Sequence, residues 1–128
     1  MLDTRFEELL GKTLKAVSGK VGGENITFVT VEGEEYILMH DQDCCESVSV
    51  EDITGDLDDL VGSPIVQAEE VVNGDNEGET GPTPDYHDDS FTWTLYKLGT
   101  TKGRVTIRWF GSSNGYYSES VRLYKEKR

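Results

Sequence analysis

With 25 Asp plus Glu against 12 Lys plus Arg over 128 residues, the chain carries a formal charge of −13. That charge repels a nucleic-acid backbone and an anionic membrane at long range, so neither is an expected partner. The length accommodates one hydrophobic core but not two, and 1–128 is read as a single domain. Six Tyr, four Phe and two Trp supply the large apolar side chains that disordered chains lack.

Met1 to Glu8 contains neither a basic region nor an apolar run of signal-peptide or membrane-span length, so a cytoplasmic address is expected. Thr4 to Glu7 has the T-x-x-E form of a capping box, Phe6, Leu9 and Leu10 share one helical face, and Gly11 can supply a left-handed cap. The pattern predicts a short N-terminal helix. From Lys12 the texture changes to β-branched runs broken by glycine: Thr13 to Lys20, Ile26 to Val31 and Glu35 to His40, with turns at Gly22-Gly23 and Glu32-Gly33. These predict an antiparallel meander.

The segment His40-Asp-Gln-Asp-Cys-Cys-Glu46 is dense in metal-capable side chains, with His40, Asp43, Cys44 and Glu46 as candidate ligands. Its spacing argues against an ion, because adjacent side chains on a strand point to opposite faces and no second pair completes a tetrahedral set. No metal and no cofactor is therefore expected. Cys44 and Cys45 are the chain's two cysteines; a bridge between neighbours is strained, and both are read as reduced thiols. Surrounding carboxylates would raise a thiol pKa, which argues against a cysteine nucleophile. No catalytic residue is assigned.

Ser47 to Val50 predicts a fourth short strand. Leu57, Leu60 and Val61, closed by Gly62-Ser-Pro64, predict one short central helix, and Ile65 to Val72 a further strand. Residues 73 to 90 hold two of the three prolines, no Lys and no Arg, and read as a long acidic loop. Beyond it, Phe91 to Leu98, Arg104 to Phe110 and Tyr116 to Tyr124 predict three strands joined by turns at Gly99 to Gly103 and Gly111 to Gly115.

The fold class is accordingly α+β, mainly β: an antiparallel sheet of about six to seven strands, made of a meander and a C-terminal three-strand hairpin unit, with two short helices. Period-two alternation assigns Phe91, Trp93, Leu95, Val105, Ile107, Trp109, Tyr117, Val121 and Leu123 to a core-packing face. Thr92, Thr94, Tyr96, Thr106, Arg108, Phe110, Ser118, Ser120, Arg122 and Tyr124 fall on the opposite face. Hydroxyls, guanidiniums and rings on one surface suit a small planar or phosphorylated ligand.

His40-Asp-Gln-Asp-Cys-Cys-Glu-Ser-Val48, Glu51-Asp-Ile-Thr-Gly-Asp-Leu-Asp-Asp-Leu-Val-Gly-Ser-Pro-Ile65, Ser90-Phe-Thr-Trp-Thr-Leu-Tyr-Lys-Leu98 and Thr106-Ile-Arg-Trp-Phe-Gly-Ser-Ser-Asn-Gly-Tyr-Tyr-Ser-Glu-Ser-Val121 together resemble a family of small uncharacterised proteins found largely in bacteriophage genomes. The likeness runs from Gly11 to Tyr124, leaving out residues 73 to 90. It implies a setting in the host bacterial cytosol, where accessory phage proteins counter host defences, and it implies no activity.

The leading expectation is a non-enzymatic counter-defence protein that sequesters a small nucleotide-derived signal, as a homo-oligomer. Arg108 and Arg122 would meet phosphate, Tyr96, Trp109, Tyr116 or Tyr124 would stack on a base, and Ser113 and Asn114 would hydrogen-bond ribose or base edges. One alternative is an acidic inhibitor that mimics nucleic acid against a basic host protein, through a surface including Asp85, Asp88 and Asp89. A second is a metal-dependent hydrolase using His40, Asp43 and Glu46.

Overall fold

The computed structural model describes residues 2–73 and 90–126. Among them the chain forms β1 (Leu2–Thr4), β2 (Leu14–Ser18), β3 (Asn25–Thr30), β4 (Glu35–Met39), β5 (Ser47–Thr54), β6 (Gln67–Asn73), β7 (Ser90–Thr100), β8 (Gly103–Ser113) and β9 (Arg122–Lys125). The protein is mainly β, as the glycine-punctuated runs predict. Instead of one sheet there are two, both antiparallel, ordered β1-β9-β4-β3-β2 and β5-β8-β7-β6. The meander survives as β2-β3-β4. The C-terminal unit does not: β7 and β8 pair along their whole length, whereas β9 is only four residues long and inserts between β1 and β4 of the other sheet.

Neither predicted helix is an α-helix. Phe6–Leu9 and Leu57–Leu60 are single 3₁₀ turns, the tighter form short segments adopt when too few residues are free to repay helix nucleation. The first is squeezed between β1 and Gly11, whose φ of +83° turns the chain. Thr4 ends a strand, and the position before the turn is Arg5, which makes no side-chain cap. The second is capped by Asp56, whose carboxylate accepts from the Asp58 N–H at 2.9 Å. No helix among the described residues is long and apolar enough to cross a membrane.

The two sheets share one core. Leu14, Ile26, Phe28, Tyr36, Leu38 and Leu123 come from the five-stranded sheet; Val48, Val50, Tyr96, Leu98, Val105, Ile107 and Trp109 come from the four-stranded one. Phe6 and Leu9 of the first turn plug the space between, with the Phe6 and Tyr96 rings 4.6 Å apart. The register pairs Thr94 with Trp109, Tyr96 with Ile107 and Leu98 with Val105, so these residues face inward together. The face assigned to β8 from alternation is therefore correct, whereas β7 turns Thr94, Tyr96 and Leu98 toward the shared core. Phe91, Trp93 and Leu95 lie on the opposite face of the sheet with Arg108 and Phe110, where Phe91 and Trp93 are nonetheless buried, packed against the Phe110 ring.

The face that β7 turns to the core has a local cause. Apolar residues occupy both faces of β7, so alternation by itself does not choose between them, and the hairpin register does. The β7–β8 turn is Thr101-Lys102, closed by the Thr100–Gly103 pair, and it is clamped to the second 3₁₀ turn. Thr100 Oγ1 donates to the Asp59 carbonyl at 2.5 Å and Lys102 Nζ to the Val61 carbonyl at 2.7 Å.

The end of β5 relies on one glycine. Gly55 has φ +102°, and a Cβ there would lie 2.4 Å from the Arg104 carbonyl oxygen. Left-handed strain and a clash with immobile backbone add, so Gly55→Ala should cost at least about 2 kcal/mol. Chemical denaturation reads this directly, and an unchanged midpoint would show that the turn can relax.

Candidate functional site

At one end the sheets are tied together. The Gly22 N–H donates to the Val50 carbonyl at 2.8 Å, the Val50 N–H to the Gly23 carbonyl at 2.9 Å, and the Gly62 N–H to the Leu14 carbonyl at 2.9 Å. Elsewhere they part, leaving a cleft of about 550 Å³ between β1, the first 3₁₀ turn, β6, β7 and the segment leading into β9. Thr92 and Thr94 line it from β7, Glu70 and Val72 from β6, and Ser118, Glu119, Ser120 and Arg122 from the other side. Thr92, Thr94, Ser118, Ser120 and Arg122 all belong to the polar face read from the sequence, but two sheets, not one surface, bring them together.

The polar groups of the cleft are organised in pairs. Glu119, only 8% exposed, accepts from Thr92 Oγ1 at 2.7 Å and from Ser113 Oγ at 2.5 Å. It thereby holds its own segment against β7 and β8, and Gly111 leaves it room: a Cβ there would lie 2.9 Å from Glu119 Cβ. The Tyr96 hydroxyl donates to Glu70 Oε2 at 2.7 Å and also lies 3.0 Å from the Val121 carbonyl. Burial, followed by the Glu70 carboxylate, raises the Tyr96 phenol pKa well above its ordinary value, so it remains a donor. At the mouth Arg122 Nη1 donates to Asp3 Oδ2 at 2.7 Å, both groups about half exposed. Arg5 is 87% exposed.

A second cavity of about 460 Å³ adjoins the first and shares Asp3, Ser118, Ser120 and Arg122 with it; its other walls are His40, Asp41, Gln42, Asp43 and Tyr124. Beneath it lies a buried ion pair. His40 Nδ1 is 2.7 Å from the Ser120 carbonyl and Nε2 is 2.7 Å from Glu46 Oε2. A carbonyl only accepts, so Nδ1 carries a proton. Glu46 also accepts from the Asp43 and Cys44 N–H groups at 2.9 Å each, which suits a carboxylate and makes Nε2 a donor too. Burial alone would raise the Glu46 pKa, but the hydrogen bonds from His40, Cys44 and Asp43 outweigh it and hold the carboxyl at about 2.

This arrangement accounts for the segment singled out as metal-capable. His40 and Glu46 bond each other, and Asp43 and Cys44 contribute backbone N–H groups instead of ligand atoms. Among the described residues no group of three or more His, Cys, Asp or Glu is placed to hold a metal ion. The cysteines differ from the expected free thiols: a disulfide joins Cys44 to Cys45.

The candidate ligand residues disperse. Trp109 and Tyr96 have no exposed surface; they are core rings and offer nothing to stack on, and Trp109 Nε1 meets no acceptor among the described residues. Arg108 lies on the outer face of the four-stranded sheet, bonded to Glu51 Oε1 through Nε at 2.8 Å and Nη2 at 2.6 Å, with its guanidinium 4.9 Å from the Trp93 ring centroid. Arg122 belongs to the other sheet, so the two arginines do not converge. Ser113 supports Glu119, and Asn114 Oδ1 accepts from the Tyr116 N–H at 2.9 Å. Tyr116 is 82% exposed, and Tyr124 half-lines the second cavity. Asp85, Asp88 and Asp89 lie outside the described residues. Sequence reasoning does not single out Glu70 or Glu119: β6, Gln-Ala-Glu-Glu-Val-Val-Asn, has no period-two pattern that would mark Glu70, and the one signal for Glu119 is an acid flanked by two serines in a run that reads as strand.

A family model matches residues 7–123. The chain belongs to DUF7448, a domain of unknown function. The DUF7448 match begins in the first 3₁₀ turn and ends in β9, so it takes in both cavities apart from the β1 wall, Arg5, Phe6 and Tyr124. No curated protein and no solved structure matches the chain.

Proposed function

We propose that this DUF7448 protein is a non-enzymatic phage counter-defence protein that takes a small nucleotide-derived molecule into the cleft between its sheets and holds it unchanged. The observation that carries the reading is the cleft itself, which gathers hydroxyls, carboxylates and an arginine from two sheets. Carboxylates are the natural acceptors for ribose diols, which gives Glu70 and Glu119 a role beside Thr92 and Thr94. Arg5 and Arg122 stand at the mouth for phosphate. Asp3, Glu7, Glu70 and Glu119 outnumber these two guanidiniums along the lining, so a run of phosphates is disfavoured and a ribosylated or singly phosphorylated molecule fits best.

The test is equilibrium dialysis against adenosine and guanosine 5′-monophosphates and their 3′,5′-cyclic forms, followed by heat release. The expected result is depletion of at least one nucleotide and its recovery intact. Arg122→Ala should weaken binding roughly 10-fold, the worth of one charge-assisted hydrogen bond. Recovery of a degraded nucleotide would make the protein an enzyme, and absence of depletion across the series would overturn the reading.

A further inference from the structure

A different surface points to a protein partner. Tyr116 is 82% exposed yet firmly presented. Gly115 turns the chain with φ +87°, its N–H donates to Ser113 Oγ at 3.0 Å, and the Tyr116 N–H donates to Asn114 Oδ1 at 2.9 Å. The Tyr117 ring packs edge-on against that of Tyr116 at 5.1 Å. A large amphipathic ring, held by Ser, Asn and Gly and packed against none of the core, has the composition and preorganisation of a protein-binding loop. Ordering the turn has already been achieved by its own hydrogen bonds, so docking loses little further entropy.

We propose that the turn from Ser113 to Ser118 is the docking site for a Lys- or Arg-bearing segment of a partner protein, independently of any ligand in the cleft. The partner's charge follows from the acids of the cavity that the end of this turn lines. Ser118, within about 7 Å of Tyr116 along the chain, lines the second cavity together with Asp41 and Asp43. The Asp3 carboxylate there is engaged by Arg122. Those of Asp41 and Asp43 make no ion pair among the described residues. A basic side chain placed over the Tyr116 ring gains a cation–π contact. The next one along reaches the two aspartates, and the net charge of −13 steers such a segment inward. The same charge opposes nucleic acid and anionic lipid at this face.

An oligoarginine peptide is the probe, titrated at physiological ionic strength with an oligoglutamate peptide as control and followed by amide chemical shifts and fluorescence anisotropy. Saturable binding should perturb Asn114 to Ser118 together with Asp41 and Asp43. Tyr116→Ala should weaken it about 10-fold with an unchanged circular dichroism spectrum. That substitution leaves the net charge intact, so attraction by charge alone predicts no effect. Wild-type affinity in Tyr116→Ala, shifts spread over the other acidic segments such as Asp56 to Asp59, or no binding would each overturn the proposal. Nucleotide depletion by the cleft should be unaltered by Tyr116→Ala.

Discussion

Replacing His40 by alanine should lower the melting temperature at neutral pH by about 10 °C, the loss expected when one partner of a buried ion pair is removed from a domain of this size. The His40 and Glu46 side chains are 4% and 0% exposed, so the substitution strands a carboxylate away from water and also releases the Ser120 carbonyl. A variant melting within about 2 °C of the wild type would show that the pair contributes no net stability. The same pair sets an acid limit. Glu46 titrates at about 2 in the fold against an ordinary value of 4.5. A depressed carboxyl contributes its full stability above the unfolded value, and that contribution fades as the pH falls from 4.5 towards 2. Wild-type stability should therefore drop steeply across this interval, and Glu46→Gln, already destabilised, should show a flatter slope. Melting curves between pH 2 and 7 measure both.

Trp109→Ala should cost about 3–5 kcal/mol, or about 10–15 °C in melting temperature. The indole has no exposed surface and stands on the inner face of β8, opposite Val50 of β5 and Thr94 of β7. Alanine there opens a cavity that the two flanking strands cannot both close. With about 5–15 kcal/mol available to a typical domain, that removes about a fifth of the total at the least. A stacking platform behaves in the opposite way, losing ligand affinity while stability stays level. Thermal melts of Trp109→Ala beside those of Tyr116→Ala separate the two kinds of ring, since the exposed Tyr116 should melt as the wild type does.

The elements that local chemistry dictates were legible from the residues. The runs from Thr13 to His40 are β-branched and aromatic, separated by glycine turns short enough to join only antiparallel neighbours, and β2, β3 and β4 follow within a residue or two at most ends. Val105, Ile107 and Trp109 alternate against polar neighbours, and their inward direction follows. Helical signals misled near Phe6 and Leu57 because capping patterns mark the start of a turn without guaranteeing room for a second one. Adjacent cysteines read from bond geometry as thiols, whereas Cys44 and Cys45 are joined.

What escaped the sequence is what depends on partners distant along the chain. Tyr96 reads as an exposed ring because it alternates with Trp93 and Leu95, and only the pairing of Tyr96 with Ile107 turns it inward. Arg122 and Tyr124 read as neighbours of Arg108, yet β9 pairs with β1 and β4, strands more than eighty residues earlier in the chain, and so carries Arg122 to Asp3. The cleft is the product of that crossing. By itself the sequence determined an acidic, antiparallel β protein, because charge and period-two alternation are properties of near neighbours. Which face of β7 meets the shared core, where β9 pairs and which hydroxyls and carboxylates meet were decided by tertiary structure, because strand register and sheet membership are set by burying one common core.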